Sequence, residues 1–106
     1  MAWIFLLIAG FFETGWAIGL KYSDGFKNLL ATSWTIVSMA LSLYFLSLSL
    51  KTIPIGTAYA VWTGIGAVGT AILGIILFNE SKEFLRLFFI ILIITGIAGL
   101  KFYTKL

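Results

Sequence analysis

A chain of 106 residues in which 61% are hydrophobic and 10% charged has more apolar surface than a soluble core of that size can hide, which predicts one small membrane-embedded domain. With no cysteine and no histidine, the chain lacks disulfides, thiolate nucleophiles, the usual metal clusters and histidine-based triads, so no metal, no cofactor and no enzymatic activity are expected. The net charge of +3 is spread through short connections and leaves no footprint for nucleic acid.

The first predicted helix spans residues 3–20 and contains Glu13, the only ionisable side chain among the first twenty residues. At ~1.5 Å of rise per residue, a helix entering the membrane near Trp3 carries residue 13 about 15 Å deep, roughly the midplane of a ~30 Å hydrocarbon core. An acidic group there costs ~2.5 to 3.5 kcal/mol on insertion scales, so a carboxylate kept at that depth faces a partner, water or an ion path. The segment lacks a basic leader and is interrupted by Glu13, which predicts a retained helix instead of a cleavable signal. Trp16 lies one turn along on the same face, where its indole N–H can support the carboxylate. Trp3, at the helix start, reads as an interfacial anchor.

Lys21-Tyr22-Ser23-Asp24-Gly25 is the predicted first turn, followed by a second helix over residues 28–50. That helix carries Thr35, Ser38, Ser42 and Ser49 at helical spacing. Hydroxyls of this kind pack helices together, and Ser42, nearest the middle, has lining a cavity as its alternative. A third helix over residues 55–78 starts beside Pro54, a proline suited to a first turn. Its stripe of Ile55, Tyr59, Trp62 and Gly66 offers an O–H, an N–H and two aromatic faces, which suit a cation. Gly64-Ile65-Gly66 in mid-helix predicts a hinge.

Ser81 is the expected N-cap of a fourth helix over about 85–103, whose apolar stretch runs from 87 to 100. Glu80, Lys82, Glu83 and Arg86 form a solvated, mutually screened cluster without a chemical role in this reading. Within the fourth helix Thr95, Gly96 and Gly99 make a small-residue patch, a predicted dimer contact. Successive helices joined by such short loops are antiparallel neighbours. Lys51, Lys101 and Lys105 fall on one side of the membrane, and Lys21, Lys27, Lys82 and Arg86 on the other. That near-balance leaves the positive-inside rule without a preference and predicts dual topology, hence an antiparallel dimer that completes a pathway four helices alone would enclose poorly.

Glu13, the turn at residues 21–26 and the run from Pro54 to Gly66 together make the chain similar to the small multidrug resistance transporters along essentially its whole length. Trp16 one turn after Glu13, followed by Leu20-Lys21, resembles the guanidinium exporter subtype of that family. The resemblance implies an all-α membrane protein of four transmembrane helices per chain, an antiparallel homodimer in the bacterial inner (cytoplasmic) membrane, and export of cations in exchange for protons. It further implies a shared site built from Glu13, Trp16, Ser42, Tyr59 and Trp62, with Gly64 and Gly66 at a kink of the third helix. Gly15 and Gly19 are a departure, expected to loosen the first helix or to admit bulkier cations.

The mechanism this implies is competition between protons and a cation for one pair of carboxylates, with alternating access arising from exchange of conformation between inverted protomers. Guanidinium suits it, since its planar N–H fork bonds a carboxylate bidentately. Three other readings stand beside it: a broad exporter of quaternary ammonium and other lipophilic cations, one subunit of a two-chain transporter, and a non-transporting membrane subunit whose Glu13 pairs with a partner's lysine.

Overall fold

The computed structural model describes residues 1–103, so Lys105 of the charge balance lies outside the described residues. Four helices follow one another: α1 (Ala2–Tyr22), α2 (Leu29–Ser49), α3 (Ile55–Phe78) and α4 (Phe84–Tyr103). Each is long and apolar enough to cross a membrane, and the protein is a multi-pass, all-α membrane protein.

The connections differ from the sequence expectation in instructive ways. Lys21 and Tyr22 belong to the last turn of α1 instead of the loop. They are held there by Phe78: the Lys21 ammonium lies 5.0 Å from its ring centre, and the Tyr22 ring 5.2 Å from it. Ser23 closes the helix, its hydroxyl donating to the Leu20 carbonyl at 2.7 Å and accepting from the Phe26 N–H at 3.3 Å. The turn proper is Asp24-Gly25-Phe26, all three in left-handed backbone. Asn28 precedes α2 as its N-cap, accepting from the Ala31 N–H at 3.2 Å. Pro54 caps α3, which keeps its fixed φ outside the helix interior. Ser81 is not the cap of α4. Its hydroxyl accepts from the Glu83 N–H at 3.1 Å, and the Glu83 carbonyl takes the first helical bond, from the Leu87 N–H.

α1 lies between α2 and α3 and packs along both, whereas the backbone of α4 approaches α3 alone. Two reversals of direction make α1 and α3 parallel neighbours. The protomer is a thin slab, 44 × 34 × 17 Å. Its α1–α2 seam is built from small hydroxyl residues: Thr35, Ser38, Ser42 and Ser49 are all buried, as the packing reading of that stripe expects. Gly15 and Gly19 both face α2. They form the shelf on which Trp34 rests, its indole N–H donating to the Gly15 carbonyl at 2.8 Å while its ring fills the space a side chain on Gly19 would need.

Candidate functional site

Glu13 projects from the middle of α1 onto α3. Its side chain packs directly over the backbone of Gly66, so closely that a methyl group on Gly66 would overlap the carboxylate. Beside it the Thr14 hydroxyl donates to the Gly10 carbonyl at 3.3 Å within α1 and to the Gly66 carbonyl at 3.4 Å across the seam. Gly69 in turn receives Thr14, and Gly10 receives Ile65, so the two helices interdigitate through three glycines. One oxygen of the carboxylate, Oε2, is buried and has no hydrogen-bond partner among the described residues. An acceptor left in that condition is a high-energy feature, because removal from water has not been offset by any bond.

The other side of Glu13 opens into a cavity of about 440 Å³ between α1 and α3. On α1 its wall is Glu13, Trp16, Ala17 and Lys21, one helical face; on α3 it is the row from Thr63 through Gly66 and Thr70 to Phe78. Trp16 thus stands in the same cavity as the carboxylate, as its spacing predicts. No hydrogen bond joins the two among the described residues.

Ser42, Tyr59 and Trp62 do not line this cavity. They form a second cluster, one helical turn toward the start of α1. Ser42 is fully buried, donating to the Ala9 carbonyl at 2.7 Å and accepting from the Trp62 indole N–H at 2.8 Å. The Tyr59 ring lies 5.5 Å from that of Trp62 at an interplanar angle of 57°, and Tyr59 is exposed on the protomer surface. The cluster meets the carboxylate through the backbone: Ala9 is one turn before Glu13 on α1, and Trp62 one turn before Gly66 on α3. Ser42 therefore fixes an indole and a helix seam within the protomer instead of lining open space. Ser42→Ala leaves the Trp62 N–H unpaired, and the expected cost is about 1 kcal/mol. Chemical unfolding in mixed micelles measures it, and an unchanged midpoint would contradict the assignment.

The two glycines expected to form a hinge have separate neighbours. Gly66 faces Glu13, whereas Gly64 faces Ile97 and Ile93 of α4, and α3 runs through both as continuous α-helix. The patch of Thr95, Gly96 and Gly99 points away from the protomer: a side chain added at either glycine would meet nothing within 4 Å, and the Thr95 hydroxyl is satisfied by the Ile91 carbonyl at 2.9 Å. Only Ile90 of α4 is buried.

Three features escaped the sequence reading. Thr14 was hidden by its charged neighbour, although a hydroxyl adjacent to a mid-membrane carboxylate is itself a signal. Trp34 went unremarked because its partner is a backbone carbonyl, which no side-chain pattern reveals. Glu80 and Arg86 are the third. They form an ion pair at 2.7 Å, the mutual screening expected of them, and they also line the Glu13 cavity, which was not expected. The left-handed turn at Asn79 returns the chain over the end of α3, and the Glu80 N–H donates to the Gly74 carbonyl at 3.2 Å.

Comparison with known proteins agrees with this architecture. The family model described as Small Multidrug Resistance protein matches residues 1–93. A protein of Yersinia pseudotuberculosis named guanidinium exporter is 58% identical over 101 residues, covering 95% of this chain and 97% of its own. Proteins of the same name from Salmonella typhimurium and Citrobacter freundii are 55% identical over 101 residues and 56% over 104, covering 95% and 98% of this chain and 96% and 99% of theirs.

Proposed function

The chain belongs to the small multidrug resistance family, and from that premise we propose that it is a proton-coupled antiporter exporting guanidinium and small substituted guanidinium cations from the bacterial cytoplasm. The observation that carries the proposal is the Glu13 carboxylate, which lines a cavity in the middle of a membrane helix while its inner oxygen, Oε2, rests unpartnered against Gly66. A carboxylate held there has two ways of relieving its isolation, a proton or a cation. Because both use the same oxygens, occupancy is exclusive, and exclusive occupancy of one site that opens to alternate sides is exchange.

The relatives named guanidinium exporter support the choice of cation, as does the chemistry of the site. Guanidinium is planar and presents paired N–H groups to a carboxylate. In this proposal the shared site comprises Glu13 and Trp16 together with Tyr59 and Trp62, drawn from two antiparallel copies of the chain, with Ser42 holding the Trp62 indole from behind. Exposure of Tyr59 and of the α4 patch supports an arrangement in which a second copy supplies what the slab lacks. Thr95, Gly96 and Gly99 join the two copies. Two Glu13 per dimer give two protons for each cation.

The test is transport by the purified chain in proteoliposomes. Guanidinium added on one side drives proton movement that a pH-sensitive dye reports, and empty vesicles do not respond. Tetraphenylphosphonium at comparable efficiency would instead favour a broad exporter of lipophilic cations. Activity that appears only with a second, different chain would favour the two-subunit reading, and tags reporting one orientation would remove the antiparallel homodimer.

A further inference from the structure

The end of the Glu13 cavity away from the carboxylate is charged. Lys21, Glu80 and Arg86 all line it, at the level where α1 and α3 end. Lys21 is committed to the face of Phe78. Arg86 Nη2 donates to Glu80 Oε1 at 2.7 Å, with the Arg86 and Glu80 side chains 32% and 39% exposed, respectively. Glu80 is drawn inward: its carboxylate rests against the backbone of Gly74, where a side chain would displace it. Gly74 lies eight residues beyond Gly66 on the same helix, so the two carboxylates are separated by about 12 Å along one wall of the cavity.

From this geometry we propose that Glu80 is an outer cation subsite, where a guanidinium ion docks on its way to or from Glu13 and displaces the side chain of Arg86. The contact already present is the chemical argument. A guanidinium group occupies a carboxylate inside the cavity, and it does so through a single hydrogen bond, which leaves the second Glu80 oxygen unused by Arg86. A free guanidinium ion can take both oxygens at once, a geometry the tethered Arg86 does not adopt here.

Electrostatics give the subsite its purpose. Without Glu80, the mouth would present two uncompensated positive charges, Lys21 and Arg86, to an incoming cation. Glu80 cancels one of them, and the carbonyl ends of α1 and α3 lower the barrier further. Arg86 keeps the subsite neutral while it is empty, so the cavity does not retain inorganic cations. Glu80 binds the cation only on its way and takes no part in the exchange at Glu13.

The inference rests on the transport function proposed above, and the experiment separates the two. Guanidinium-driven proton flux is measured in proteoliposomes for the wild type, Glu80→Gln, Glu80→Asp and Arg86→Gln, with KM and kcat resolved at low and high ionic strength. Glu80→Gln is expected to raise KM about tenfold with kcat within about twofold, and the difference narrows with added salt. Glu80→Asp keeps the charge and stays near the wild type. Arg86→Gln frees the carboxylate and lowers KM about threefold. Opposite signs for Glu80→Gln and Arg86→Gln are the signature of a docking point. If the two variants shift KM together, or neither shifts it, the pair is a structural tie between α3 and α4 and the subsite is wrong. Absence of flux in the wild type removes the transport function and the subsite with it.

Discussion

Glu13→Gln takes guanidinium-driven proton movement down to the leak of empty vesicles, a loss of roughly 100-fold or more, while the protein becomes harder to unfold. The two halves of this result have one cause. The amide matches the carboxylate in size, so the contact with Gly66 and the interlocking of α1 with α3 survive. What disappears is a charge whose placement in mid-membrane costs ~2.5 to 3.5 kcal/mol on insertion scales. The variant is therefore expected to gain stability as it loses the group for which, in the proposed exchange, protons and cations compete. Flux is read in proteoliposomes and stability by unfolding in mixed micelles. Persistent flux would place the exchange elsewhere; lost flux with lost stability would reduce Glu13 to a packing residue.

Gly66→Ala is the second large effect, and it arises on the opposite wall. The new methyl carbon would lie 2.6 Å from the Glu13 carboxyl carbon and 2.9 Å from its Cγ, so the acid must swing away from the place it now occupies. A seam as close as this one offers little room for that movement, since the Thr14 hydroxyl also meets Gly66 at its carbonyl. Transport is expected to fall about 10- to 100-fold, with a stability loss of about 1 to 3 kcal/mol. Gly64→Ala is the informative companion. Its methyl would meet the end of the Ile97 side chain, Cδ1 at 2.9 Å, and that end can rotate aside. A change below about threefold is expected there. Equal damage from both substitutions would show that the pair matters as a flexible unit in α3, and that the Glu13 contact does not set the effect.

The helices were legible because the period and length of apolar runs are one-dimensional quantities. A charge interrupts each run where the membrane ends, and Lys51 or Arg86 marks such a boundary without reference to any neighbour. Glu13 was legible for the same reason, as an exception to its own segment. The turn was less so: Lys21 and Tyr22 look like loop residues, yet they continue the helix, packed on Phe78, 56 residues after Tyr22 along the chain, and closed by the bonds of Ser23. Gly15 and Gly19 show the limit in another form. A glycine reads as freedom when its surroundings are unknown, and as a close fit once Trp34 is seen lying on it. The same holds for Glu80, whose nearness to Arg86 along the chain suggested mutual screening in water. Its position beneath the mouth of the cavity depends on the left-handed turn at Asn79, a backbone event with no hydrophobic pattern.

The thinness of the protomer has a consequence for how its stability is measured. A layer 17 Å thick, less than two helix diameters of about 10 to 12 Å each, has only a thin interior along its helix seams, and much of its apolar surface rests against whatever surrounds it. Its melting midpoint is then not a constant of the chain. If neighbouring copies complete the slab, the midpoint rises with the ratio of protein to lipid and falls when detergent dilutes the copies apart, as mass action requires. A variant compared with the wild type at a different surface density is compared under a different load, and the midpoint difference would be assigned to the wrong residue.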